Sequence, residues 1–151
     1  MIEASWNNAA QCFGDERQDY GEALKRHYDQ GAPRDWQEYY VSQYATTHAW
    51  EDFAETWAHH LHIVDTLEMV QASGMSVRPL VNRNGDHIAA VNFDPYQTGR
   101  IEQIIGVWLP FVFAMNNVSR SMGAHDLYPF VIAPAVVQKL GFIHDLVHGR
   151  L

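Results

Sequence analysis

Apolar positions along the chain repeat mostly at helical spacing. The clearest stretch holds Trp50, Phe53, Ala54, Trp57, Leu61, Val64 and Leu67 at i, i+3, i+4 and i+7 intervals. That spacing predicts an amphipathic helix from about residue 49 to Ala72, stopping near Gly74. Residues 3–13 predict a short helix broken at Gly14. Asp15 is read as the N-cap of a helix Glu16–Gln30, with Lys25, Arg26 and His27 near its end and Gly31 just beyond it. Pro33 restarts the chain, and an aromatic-rich helix is expected from Pro33 to Ala45. Residues 75–99 are punctuated by Pro, Asn and Gly. There Asn84-Gly85 separates the apolar runs Val77–Val81 and Ile88–Val91, which permits either a short hairpin or a loop. A helix from Thr98 to Met122, bent at Pro110, and a last helix from Pro134 to His148-Gly149 complete the pattern. The fold class is mainly α, with five or six helices in one domain spanning 1–151.

Composition narrows the classes of function. At 151 residues, with 47% hydrophobic and 19% charged residues, the chain is long and apolar enough for one sizeable core. The longest apolar run, Ile104–Met115, is interrupted by Pro110 and is shorter than the roughly 18 residues a span needs, so no membrane segment is expected. No basic, apolar leader is visible near Glu3. Cys12 is the single cysteine, which excludes a disulfide framework and fits a reducing cytoplasm. It is read as a small apolar residue rather than a nucleophile. A net charge of -8 argues against nucleic acid as a partner.

One compositional feature points to chemistry. There are nine His, while Lys25 and Lys139 are the only lysines. On the helix starting near residue 49, Glu51, Glu55, His59 and His62 fall within about 80° of one another at 100° per residue. Two readings of this stripe stand: a solvated helix face, or two carboxylates and two imidazoles gathered near a cation. A second pair, His144 and His148, has the i, i+4 spacing with which two His can clamp one Zn²⁺. Asp145 stands where the H-E-x-x-H motif has Glu and is one methylene shorter. The favourable interaction of both imidazoles with the helix C-terminus is explanation enough for the pair, and no catalytic role is expected of it. No nucleophile elbow, phosphate loop or dinucleotide fingerprint occurs.

Five blocks, Phe13–Tyr28, Gly31–Trp36, His48–Glu68, Trp108–Gly123 and Asp126–Leu140, together resemble the putative zinc-binding metallopeptidases of bacteria. The resemblance covers nearly the whole chain. It implies the helical half of a zincin-like, gluzincin-like catalytic domain whose complete members carry out zinc-assisted hydrolysis of peptides or proteins. It further implies Glu51 as a zinc ligand and Glu55 as the carboxylate that steadies a ligand His, with His59 or His62 near substrate or ligands. This sequence departs from the family pattern at one place that matters. It contains no H-E-x-x-H, the helix that supplies two His ligands and the general base, and no zinc-ribbon cysteines. The resemblance places Met1 just downstream of that helix. The expectation is therefore a metallopeptidase-like domain that is inactive as this chain, with zinc weak or absent in it. The alternative is a non-catalytic helical binding protein that covers the surface left by the missing helix by forming a homodimer.

Overall fold

The computed structural model describes residues 9–80, 88–129 and 131–151. Residues 9–13 are helical (α1). They are followed by α2 (Tyr20–Gln30), two short 3₁₀ turns (Trp36–Glu38 and Tyr44–Thr46), α3 (Ala49–Ala72), α4 (Ile101–Ser121) and α5 (Pro134–Val147). Strands β1 (Ser76–Val77) and β2 (Ala89–Ala90) pair antiparallel, Ser76 against Ala90 and Val77 against Ala89. The mainly α class read from the sequence is what the chain adopts. The Asn84-Gly85 turn and residues 3–8 of the first expected helix lie outside the described residues.

Two expected boundaries are corrected, each for a local reason. Asp15 does not cap α2, because both of its carboxylate oxygens are taken by the Arg17 guanidinium and one also accepts the Arg17 amide. The cap is Asp19, whose Oδ1 accepts the Glu22 N–H at 2.8 Å. Removing that acceptor leaves a first-turn donor open. Asp19→Ala is accordingly expected to lower stability by about 1 kcal/mol in urea denaturation. Gly31, at φ 74°, ends the helix and returns its N–H to the His27 carbonyl.

The second correction concerns residues 33–45, which form two 3₁₀ turns instead of a helix. Ser42 turns its hydroxyl to Glu55 and accepts the Ala45 amide, while the Tyr39 carbonyl accepts from Lys139. Side chains thus take over backbone groups that a helical ladder would use.

The chain divides into two compact units, and the division falls within α3. The first comprises Met1–Leu61 with Ala133–Leu151. Its apolar cluster is Phe13, Phe142 and Ile143, with Cys12, Phe53 and Trp57 packed on it. Phe13 meets Phe53 and Phe142 edge to face, at 5.3 and 5.6 Å between centroids.

The second unit is His62–Ile132. Val70, Ala89 and Phe111 are buried together there, and Val77, Val107 and Met115 pack on them. By length and composition α4 is apolar enough to cross a membrane, which run length alone did not reveal. Its Ile104, Ile105, Trp108, Phe111 and Val112 are nevertheless buried within the unit, as in the core helix of a folded domain. The helix runs through Pro110, which cannot donate to the Gly106 carbonyl.

Candidate functional site

The N-terminal half of α3 positions the residues singled out from sequence. Its start is fixed by His48, which is buried. The ring Nδ1 accepts the Trp50 N–H at 3.1 Å, so Nε2 carries the proton that it donates to the Gln18 carbonyl at 3.0 Å. Histidine here does the work of a helix cap and ties α3 to the turn before α2.

Glu51 lies in the first turn and is half-buried. Its Oε1 accepts the Tyr20 phenol proton at 2.6 Å, and its Oε2 takes no hydrogen bond among the described residues. The carboxylate, together with Tyr44, holds the Tyr20 phenol well above its ordinary pKa, so Tyr20 remains a donor throughout the physiological range. Trp50 stacks on the Tyr20 ring and His48 meets it edge-on. Glu55, one turn later, is held in the same fashion: its Oε2 accepts the Ser42 hydroxyl at 2.7 Å. His59 is half-buried in the first unit, whereas His62 is exposed and falls in the second.

Of the stripe expected from spacing, Phe53 and Trp57 pack inward on this half-helix, but its fully buried positions are polar. Asp52, Thr56 and His60 are buried, while Trp50 and Leu61 are exposed. All three buried residues lie one turn apart, and α5 supplies partners for two of them. Lys139 forms an ion pair with Asp52, donates to the Tyr39 carbonyl at 2.8 Å, and sits 4.2 Å from the centre of the Tyr40 ring. Burial pushes the Asp52 carboxyl up to about 6, against the opposing pull of Lys139 and of the Thr56 hydroxyl. A cleft of about 450 Å³ adjoins the pair and is lined by Cys12, Trp36, Tyr39 and Tyr40. Burial also pushes the Cys12 thiol up, in keeping with an apolar role.

Further along the same ridge, His60 Nε2 and His144 Nδ1 are 3.2 Å apart. Nδ1 of His148 bonds to the His144 carbonyl at 2.7 Å, across the end of α5. One ring nitrogen of each member of the C-terminal His pair is therefore engaged within the protein. Asp52, Lys139 and Tyr20 were not singled out from sequence. The available signal was Lys139 itself, one of two lysines, set among apolar residues in a helix.

These residues fit zinc only in part. Glu51 offers a half-buried carboxylate with one oxygen oriented and the other open, as a ligand requires. A zincin centre needs three protein ligands. Among the described residues no three His, Cys, Asp or Glu side chains come together in an arrangement that could hold a metal ion.

Comparison with known proteins places these residues in context. Residues 2–146 match the family described as "Putative zinc-binding metallo-peptidase". Uncharacterized proteins of Mycobacterium tuberculosis (strain ATCC 25618 / H37Rv) and Mycobacterium bovis (strain ATCC BAA-935 / AF2122/97) are each 45% identical over 139 residues, which is 91% of this chain. The chain spans 38% of the length of these relatives. No solved structure matches it.

Proposed function

The chain belongs to the putative zinc-binding metallopeptidase family, and from that premise we propose that it carries the glutamate helix of a zinc peptidase centre, with Glu51 as the metal-facing carboxylate. The observation that carries this reading is the bond from Tyr20 to Glu51, which joins residues 31 positions apart and aims a half-buried carboxylate. Tyr20 is the positioning residue: it fixes one oxygen and leaves the other for a ligand role. Ser42 holds Glu55 in like manner one turn on. The 151 residues contain no H-E-x-x-H, so two ligands and the general base that the resemblance calls for are not supplied by this polypeptide. We therefore expect it, by itself, to hydrolyse no peptide bond.

Zinc analysis of the 151-residue polypeptide, purified without chelator or His-tag, should give less than about half an equivalent per chain. Casein or reporter-peptide hydrolysis should not exceed a blank. The genomic frame upstream of Met1 supplies the second arm. Where it encodes H-E-x-x-H, the extended chain should bind about one zinc, and Glu51→Ala should weaken that binding by at least about tenfold, as Tyr20→Phe also should. Glu68→Ala, whose carboxylate bonds to Tyr96 in the second unit, should leave zinc binding unchanged. Zinc-dependent hydrolysis by the 151 residues that survives Glu51→Ala would sink the assignment.

A further inference from the structure

We propose that His48 is a second positioning residue for Glu51, its imidazole serving as a strut that sets the distance between Tyr20 and Glu51. The value of that distance for zinc rests on the Glu51 reading; the strut itself does not.

The bond from Tyr20 to Glu51 joins α2 to α3 across 31 positions. The hydrogen bonds inside each helix do not set the gap between the two. His48 holds both sides of that gap. At one end its Nε2 donates to the carbonyl of Gln18, two residues before Tyr20. At the other its Nδ1 accepts the N–H of Trp50, the residue before Glu51. The His48 carbonyl also accepts the Asp52 N–H at 3.0 Å, which begins the ladder of α3. Between these ends the ring packs edge-on against Tyr20 and Trp50, at 5.4 and 5.1 Å between centroids. Trp50 in turn stacks on Tyr20 at 6.2 Å. The phenol that aims Glu51 is therefore one of three rings in mutual contact.

Capping alone does not call for an imidazole. Asn, Asp and Ser are the preferred acceptors at a helix start, and each suffices for the Trp50 N–H. None of them reaches on to Gln18, because their polar atoms lie no further out than Nδ1 of the ring. Histidine adds a second nitrogen at the far side of a rigid ring. Only the neutral form with its proton on Nε2 makes both bonds. His48 is 5% exposed, so water does not stand in at either end.

The test is proton NMR of the 151-residue protein. The Tyr20 hydroxyl proton, identified by its loss in Tyr20→Phe, should lie downfield and exchange slowly with water, as befits a 2.6 Å bond to a carboxylate. His48→Ala should speed its exchange, and that of the Trp50 amide, about fivefold or more. His48→Asn separates the strut from the cap. It should return the Trp50 amide to near its parental rate while the Tyr20 hydroxyl still exchanges as fast as in His48→Ala. In a chain extended upstream to include H-E-x-x-H, His48→Asn should also weaken zinc binding severalfold. Recovery of the slow hydroxyl in His48→Asn would reduce His48 to a cap and overturn the proposal. So would an unchanged hydroxyl in His48→Ala, or no slow hydroxyl in the parent protein. Unchanged zinc affinity in His48→Asn overturns it too, provided that Glu51→Ala weakens that affinity. If Glu51→Ala does not, the Glu51 reading is what fails, and the hydroxyl exchange rates still decide on the strut.

Discussion

Lys139→Met should destabilise the protein by roughly 3–5 kcal/mol at pH 7.5, the cost of leaving a buried carboxylate without its cation. Asp52 is 1% exposed, so water cannot replace the lost partner. Urea denaturation measures the effect, and its pH dependence identifies the cause. In the native protein the Asp52 carboxyl titrates at about 6, above its ordinary 3.8. Its stabilising contribution is therefore complete below 3.8 and is lost as pH rises through 6. Without Lys139, desolvation stands largely unopposed and the carboxyl moves higher still. The penalty should then fall by up to about 2 kcal/mol between pH 7.5 and pH 5, where Asp52 is already mostly neutral in the native state. Asp52→Leu combined with Lys139→Met should recover most of the loss, since a well-packed apolar pair can replace a buried ion pair. Equal destabilisation at both pH values would show that Lys139 acts only through packing on Tyr40 and Phe13.

The second large effect is expected in the other unit. Asn116 is fully buried on α4. Its Oδ1 accepts the amides of Leu127 and Tyr128, and its Nδ2 donates to the Tyr128 carbonyl at 2.7 Å. One side chain thereby satisfies three backbone groups of the loop after α4. Asn116→Leu keeps the volume and removes every partner. Each abandoned group costs on the order of 1 kcal/mol or more, so a loss of about 3 kcal/mol is expected. Thermal unfolding should report it, and hydrogen exchange at Leu127 and Tyr128 should accelerate along with it. Asn117→Leu, at the exposed neighbouring position, should remain within about 0.5 kcal/mol of the parent. Similar losses in the two variants would refute the clamp.

The sequence was most legible where apolar spacing and terminator residues agreed. The limits of α3 follow from the stripe and from Gly74, and Ile63, Val64, Leu67 and Val70 are buried as a helical face should be. Over the first three turns the same reasoning found Phe53 and Trp57 but missed the fully buried positions, because it assumed that these are apolar. There Asp52, Thr56 and His60 face inward, and two of them meet Lys139 and His144 of α5. No local pattern announces a partner 84 or 87 residues away. Residues 33–45 misled for the opposite reason. Trp36, Tyr39, Tyr40 and Tyr44 have helical spacing, but the Tyr40 ring faces an ammonium and the Tyr39 carbonyl is taken by the same Lys139. At the site, Glu51 and Glu55 were visible as a stripe. Tyr20 and Ser42, which aim them, were not, because each bond depends on how the chain returns across α3.

The discontinuity of the first unit has a consequence for how the protein is made. The second unit is one unbroken stretch of chain, whereas the first needs α5, which is synthesised after that entire stretch. Closing a loop of the length between Asp52 and Lys139 costs about 4 kcal/mol of chain entropy. Folding of the intervening segment shortens that loop and brings its ends under control. On the ribosome, therefore, residues 62–132 can mature while Asp52 and His60 still wait for Lys139 and His144. The half that carries Glu51 acquires its final form last.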